Sequence, residues 1–298
     1  MDNIFARYVI MYYIRVTRSI RRNLMDKIGF VGYGSMGSMI IRGILSSNII
    51  APEDMIISTR SPNKLSKLEK EYPEIEIAPD NVSLADKCQR IFLFVGTGEV
   101  RGVIEEIKPK ISEDTHIIYI SAGLTIEIVE SKFKGRITKV IPSLTSKVGE
   151  GVSLVCHNKK VTNEDVDFVG AVFRSFGSVK TIEEEDLEVA TDLTSCAPAF
   201  IAQIFKEFSN AAVRKSNLTQ EDAEAMVIKT LYGTVKLIYE GNMGFDEVVS
   251  RVATKGGITE EGIKVIQNRT PAMFDELFKV TSQKNKNSKQ ILNNEWLN

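Results

Sequence analysis

The chain has few residues of the types that bind metals or form disulfides: two histidines and three cysteines in 298 residues. His116 and His157 are too few for a histidine-rich centre, so we expect no metal site. The cysteines (Cys88, Cys156 and Cys196) are odd in number and scattered, without zinc-ligand spacing or a C-x-x-C pair. This pattern favours a reducing, cytoplasmic setting.

Charge of either sign is not in excess, because the formal net charge is −1. That balance gives no indication of nucleic-acid binding or of an acidic disordered tail. A hydrophobic content of 43% and a charged content of 26% are typical of a globular protein with a sizeable core.

A long hydrophobic run is also missing. The apolar stretch 4–14 is interrupted by Arg7 and is too short to span a bilayer. Four arginines follow it, whereas a signal peptide carries its charges first. We interpret residues 1–24 as an N-terminal extension that is non-native or disordered; a basic helix on a membrane surface is the alternative.

The remaining chain divides by pattern into two domains and a tail. Residues 25–182 alternate short apolar runs with helical stretches, which predicts an α/β domain with a mostly parallel sheet. Residues 183–282 contain no convincing strand and predict an all-helical domain, and we interpret the polar segment 283–298 as a frayed tail. The predicted strands are 27–31, 55–58, 74–77, 90–95, 116–121, 138–141 and 152–156.

A glycine pattern, G-x-G-x-x-G, follows the first predicted strand and opens a helix. Gly32 permits a tight turn, Gly34 lets the backbone approach a pyrophosphate, and Gly37 lets the helix pack on the strand. The amides of Ser35 and Met36 begin the helix, where a phosphate binds. The motif in this context predicts a dinucleotide-binding Rossmann domain; a glycine-rich turn without a ligand is the alternative.

The second predicted strand is followed by Thr59, Arg60 and Ser61 instead of an acidic residue. An acidic residue there would bind the ribose 2′-hydroxyl of NAD, whereas hydroxyls and an arginine suit a 2′-phosphate. We therefore predict NADP(H) over NAD(H), with Lys64 one turn further on. The alternative is that Arg60 is a solvated surface charge.

A second glycine pair, Gly256-Gly257, lies in the helical half. Its backbone amides could hold a substrate carboxylate, helped by Thr254, Lys255 and Thr259. An ordinary turn between helices is an equally good interpretation of the pair.

Taken together, the motifs resemble those of the pyrroline-5-carboxylate reductase family over residues 26–281. The matching segments, in family order, are Gly32–Gly37, Ser121-Ala122-Gly123, Val140-Ile141-Pro142, Gly149-Glu150-Gly151, Ala197-Pro198-Ala199-Phe200 and Gly256-Gly257-Ile258-Thr259. The resemblance implies an NADPH-dependent reduction of the cyclic imine 1-pyrroline-5-carboxylate to proline. It also implies a homodimer, or a higher oligomer, formed through an all-α dimerisation domain, with the active site where the two domains meet across the dimer.

Residue roles follow from the same resemblance. Thr259 corresponds to the threonine that binds the imine nitrogen, and the turn from Thr254 to Gly257 corresponds to the carboxylate-binding turn. The resemblance adds Val95, Gly96, Ala122, Gly123 and Pro142 to the cofactor residues named above.

Several positions depart from the family pattern. Gly96-Thr97 replaces Lys-Pro, Ser143 replaces Asn, and Ile258 replaces Thr in the carboxylate turn. These changes are similar to those of a divergent branch, the ComER-like late-competence proteins. The alternatives are therefore an NADP(H)-binding accessory protein with little or no turnover, a reductase of another imine and, ranked lowest, a β-hydroxyacid dehydrogenase.

Overall fold

The computed structural model describes residues 27–297. The predicted extension over residues 1–24 lies outside this range. The described chain forms two compact units, one of residues up to Ser195 together with 284–298, the other Cys196–Gln283.

The first unit is built on one eight-stranded sheet with the order β3-β2-β1-β4-β5-β6-β7-β8. All neighbouring strands are parallel except β6 and β7, which are antiparallel. The predicted, mostly parallel sheet is confirmed. The strands are β1 Lys27–Val31, β2 Met55–Ser58, β3 Glu76–Ile77, β4 Cys88–Leu93, β5 His116–Ile120, β6 Arg136–Ile141, β7 Gly151–His157 and β8 Gly177–Thr181.

Helices cover both faces of this sheet. Because side chains alternate along a strand, β1 sends Phe30 to one core cluster and Val31 to the other. On the first face, the rings of Phe30 and Phe92 stack with centroids 5.0 Å apart. The helices are α1 Ser35–Ser47, α2 Ser66–Glu71, α3 Asn81–Ala85, α4 Val100–Ile107, α5 Ile126–Lys132, α6 Asn163–Arg174 and α7 Leu187–Thr191.

Strand β8 was not predicted. It is an edge strand with alternating half-buried and exposed residues, and Val179 is its one large apolar residue. Its polar composition therefore gave no strand pattern, and pairing with β7 determines its conformation.

The second unit consists of helices, as predicted. They are α8 Ala197–Val213, α9 Gln220–Tyr239, α10 Phe245–Val252 and the part of α11 Ile258–Leu297 that precedes Lys284. Thr219 caps α9, since its side chain accepts a hydrogen bond from the backbone amide of Asp222. Only Ser209 and Ala223 are buried in this unit, so its apolar side chains do not form a closed core.

The predicted boundaries differ from these units at two points. The first unit continues past residue 182 to Ser195. The segment 283–298 is not a frayed tail, because α11 extends through it to Leu297. Leu292 and Trp296 lie four residues apart on this helix and pack in the second core cluster, with Trp296 only 3% exposed. This apolar pair stabilises the segment despite its polar composition.

None of the helices within residues 27–297 has the length and apolar character needed to cross a bilayer.

Candidate active site

The glycine loop lies between β1 and α1 at the carboxyl edge of the sheet. Gly32 has φ +102°, and a Cβ added there would lie 2.5 Å from the Phe94 carbonyl oxygen. The Gly32 amide donates a hydrogen bond to the Ser58 carbonyl at 2.8 Å. Glycine is thus required at this turn by both its backbone conformation and its contacts.

The amino end of α1 is free to bind an anion. Gly34 is its N-cap residue and provides no capping side chain, and the first turn contains no acidic residue. A Cβ on Gly34 would meet no atom within 4 Å. No side chain therefore caps the first helical amides, which lie at the positive end of the helix dipole, a position that suits a pyrophosphate.

A cavity of about 660 Å³ extends from this loop. It lies where the strand order reverses between β1 and β4, the position at which open α/β sheets bind ligands. Residues that follow four strands line it. Seven of the predicted cofactor residues are among them: Gly32, Gly34, Thr59, Arg60, Ser61, Val95 and Gly96.

The end of the cavity near β2 contains two cationic side chains, Arg60 and Lys64. Arg60 is 84% exposed, and its guanidinium pairs with the carboxylate of Glu99. Glu99 also accepts a hydrogen bond from the Gly96 amide at 2.9 Å. An anionic group entering this end would thus meet these two cations and the Glu99 carboxylate, and the cavity lining also includes Asp80 and Glu106.

A polar chain that no sequence pattern indicated runs along the cavity wall. The Ser58 hydroxyl donates to Asn81 Oδ1 at 2.8 Å, and Asn81 Nδ2 donates to Glu106 at 2.7 Å. Asp80 and Asn81 follow the short strand β3. Their place after a strand of the same sheet was the signal that could have identified them.

The other predicted cofactor residues do not line this cavity. Ser35 and Met36 form the first turn of α1, and Gly37 packs where a Cβ would lie 2.8 Å from the Gly32 carbonyl oxygen. Ala122 and Gly123 follow β5, whereas Pro142 follows β6. Since β5 and β6 are parallel to β4, these residues lie at the same edge of the sheet.

A buried lysine fixes the loop after β5. Lys139, in β6, is 2% exposed, and its ammonium donates to the Ala122 carbonyl at 3.3 Å and to Glu184 at 3.2 Å. Glu184 also accepts from the Ile126 amide at 3.0 Å, at the start of α5. Burial lowers the pKa of Lys139, and the Glu184 carboxylate opposes that shift.

In the second unit, the residues from Thr254 to Gly257 form a tight turn before α11. The Gly257 amide donates to the Thr254 carbonyl at 2.9 Å, and Gly256 has φ +75°. The Gly256 amide donates to the Glu260 carboxylate at 2.7 Å. The backbone of this turn therefore binds a carboxylate of its own chain. Lys255 is exposed and Thr259 is half-buried in the first turn of α11.

Comparison with known proteins places this geometry in a family. Residues 184–288 match the family described as pyrroline-5-carboxylate reductase dimerisation, and residues 27–123 match the family described as NADP oxidoreductase, coenzyme F420-dependent. Pyrroline-5-carboxylate reductase 3 of Bacillus subtilis (strain 168) is 40% identical over 87% of this chain and 96% of its own length. The chain belongs to the pyrroline-5-carboxylate reductase family.

Other relatives agree with this placement. ComE operon protein 4 of the same organism is 28% identical over 87% of this chain and 94% of its own length, an identity below that of reductase 3. The crystal structure of the Plasmodium falciparum pyrroline carboxylate reductase with NADP bound has a TM-score of 0.75 and 27% identity, covering 89% of this chain and 98% of that chain.

The glycine loop and the turn before α11 each lie in a part of the chain that matches one of these two families. The glycine loop and its cavity are those of a pyridine-nucleotide domain in an oxidoreductase family. The structure also shows the contacts of one residue that departs from the family pattern, Ser143. Ser143 is fully buried, and its hydroxyl donates to the Thr194 carbonyl at 3.0 Å. Its hydroxyl therefore holds the local backbone of the first unit.

Proposed function

We propose that the protein reduces 1-pyrroline-5-carboxylate to L-proline with a nicotinamide dinucleotide, in proline biosynthesis. The observation that carries the proposal is the turn before α11, whose Gly256 amide already binds a carboxylate oxygen. The substrate has one carboxylate and one imine nitrogen. The turn and the nearby Thr259 supply a donor for each.

The roles in the reaction follow from the chemistry of these side chains. A nicotinamide dinucleotide held by the first unit would supply the hydride that reduces the imine carbon. The amides of Gly256 and Gly257, with Thr254 and the Lys255 ammonium, hold the substrate carboxylate. The Thr259 hydroxyl orients the ring nitrogen. A protonated imine is already electrophilic, so the protein needs to supply position and electrostatics more than a strong acid.

The cofactor roles belong to the first unit. The amides at the start of α1, including those of Ser35, Met36 and Gly37, bind the pyrophosphate. The edge residues after β4, β5 and β6 hold the nicotinamide end: Val95, Gly96, Ala122, Gly123 and Pro142. We propose that NADP(H) is preferred over NAD(H), because Arg60, with Lys64, places positive charge where the 2′-phosphate would lie, and Thr59 and Ser61 add hydroxyl donors.

We propose that the protein is a homodimer through the helical unit. The support is physical: this unit buries almost no apolar side chain, and large ones remain exposed, including Phe208 at 64%, Ile228 at 66% and Tyr232 at 59%. Exposed apolar surface on this scale is typical of a subunit interface. Light scattering coupled to size-exclusion chromatography tests this, and a monomeric mass at micromolar concentration would contradict it.

The function is tested by following NADPH oxidation with 1-pyrroline-5-carboxylate in wild type and Thr259→Val. Removing the hydroxyl should lower kcat/KM by about 10- to 100-fold, the range of one lost polar contact to the reacting group. Thr270→Val is the matched control. Thr270 lies further along α11, and its hydroxyl donates a hydrogen bond to the Ile266 carbonyl of the same helix. Substrate-dependent turnover that is equal in all three proteins would refute the role of Thr259.

Lys255 has its own pair of variants. Lys255→Ala should raise KM, whereas Lys255→Arg should not, since only the charge is required. No change of KM in either variant would remove Lys255 from the site.

Nucleotide binding without any turnover would favour the second candidate, a binding protein. In the reductase proposal the substrate carboxylate displaces Glu260 from the Gly256 amide, and a turn that kept Glu260 in place would favour the binding protein.

A further inference from the structure

Among the carboxylates that line the cofactor cavity, Glu99 is the one paired with Arg60 at the end that carries positive charge. Glu99 belongs to the short turn Thr97–Glu99 after β4, whereas Arg60 follows β2. Both strands pair with β1, one on each side, so their carboxyl ends flank the glycine loop. This topology brings the two side chains together across the cavity.

The position of Glu99 is fixed by two contacts. One carboxylate oxygen pairs with the Arg60 guanidinium, and the other accepts the Gly96 amide at 2.9 Å. Its side chain keeps 39% exposure, so the charge remains close to solvent. A ligand phosphate that binds Arg60 must therefore share this cation with an anchored carboxylate.

The consequence depends on the charge of the ligand. A phosphate monoester carries a charge of about −1.5 to −2 at neutral pH and is repelled by a neighbouring carboxylate. A ribose 2′-hydroxyl is not repelled, and carboxylates at this end of Rossmann domains bind that hydroxyl in NAD enzymes. Here the carboxylate comes from the segment after β4 instead of the end of β2. The sequence pattern at residues 59–61 therefore did not reveal it.

We infer that Glu99 is a specificity-determining residue that weakens the preference of the cavity for a 2′-phosphate over a 2′-hydroxyl. With Glu99 in place, the protein accepts NAD(H) as well as NADP(H). This inference rests on the proposed cofactor site, and it concerns the ratio of the two affinities and not the existence of the site.

The test is isothermal titration of NADP⁺ and NAD⁺ into wild type and Glu99→Gln. Glutamine keeps an oxygen that can accept the Gly96 amide, so the loop is retained while the charge is removed. The ratio Kd(NAD⁺)/Kd(NADP⁺) should rise about two- to fivefold in Glu99→Gln, the size of effect expected for one nearby, partly solvated charge.

Glu105→Gln is the matched control. It removes the same charge from the adjoining helix α4, where Glu105 pairs with Arg101 at 2.8 Å and does not line the cavity. An unchanged ratio in Glu99→Gln, or an equal rise in Glu105→Gln, would overturn the inference while leaving the proposed reductase intact. A wild-type protein that binds neither nucleotide would overturn the cofactor site itself, and the inference with it.

Discussion

Replacement of Asp165 by asparagine tests how much a buried carboxylate, far from the cofactor edge of the sheet, contributes to the stability of the fold. The Asp165 carboxylate is fully buried at the start of α6, 3.0 Å from Arg136 and 3.5 Å from Arg90. It also accepts a hydrogen bond from the Thr162 hydroxyl at 2.8 Å. Burial by itself raises the pKa of Asp165, but His116, Thr162 and Arg136 outweigh it and hold the pKa well below its ordinary value.

The magnitude follows from what asparagine leaves behind. It fills the same volume but removes the negative charge, so two arginines lose the buried counter-charge they share. Removing one partner of a buried ion pair costs about 3–5 kcal/mol. Arg90 and Arg136 retain 17% and 19% exposure, and Arg90 also pairs with Glu164 at 3.2 Å. We therefore expect a loss of about 3 kcal/mol, at the low end of that range.

Urea denaturation followed by circular dichroism at neutral pH measures this loss. Protein concentration must be held fixed, because association adds to apparent stability. Glu164→Gln is the control: it is the neighbouring residue, it also pairs with Arg90, but its side chain is 51% exposed. Its loss should stay below about 1 kcal/mol. An Asp165→Asn loss as small as that of the control would refute the assignment of a buried charge network.

Three further predictions concern other parts of the fold. Burial lowers the pKa of His157 from 6.5 to about 4. Between these two pH values the unfolded chain binds more protons than the folded chain, so the free energy of unfolding falls as the pH drops from 6.5 to 4. We expect a loss of about 2 kcal/mol after allowance for the partial exposure of the side chain. Denaturation at a series of pH values checks this, and His157→Gln should flatten the slope. Gly32→Ala should destabilise the fold by about 1–3 kcal/mol, because Gly32 has a positive φ and its Cβ would meet the Phe94 carbonyl. Gly34→Ala should leave stability unchanged, because its Cβ meets no other atom, and should weaken NADP⁺ binding by filling space beside the loop. Equal stability of the two variants would contradict the loop geometry. The one tryptophan, Trp296, is 3% exposed, so its fluorescence should resist acrylamide quenching, and ready quenching in the native protein would mean that the end of α11 is not packed.

The parts of the fold that the sequence predicted are those set by local patterns. The glycine loop is contiguous, and its spacing between a strand and a helix can be recognised without a structure. The predicted strands have apolar runs because both faces of the sheet are covered. Arg60 was identified since it directly follows a predicted strand.

The parts that were missed depend on contacts between distant segments. Glu99 meets Arg60 only because β2 and β4 flank β1 in the sheet, an order that the sequence does not contain. Lys139 reads as an exposed residue in a strand, yet Glu184 and the Ala122 carbonyl allow its burial. Strand β8 is determined by its pairing with β7.

The last helix also constrains the order in which the protein can fold. Leu292 and Trp296 complete a core whose other members precede residue 191, so the ribosome releases them only after the whole helical unit. Roughly 100 residues separate Ser195 from Trp296, which corresponds to about 5–20 s of synthesis. During that interval the nascent sheet exposes the apolar surface that this helix later covers.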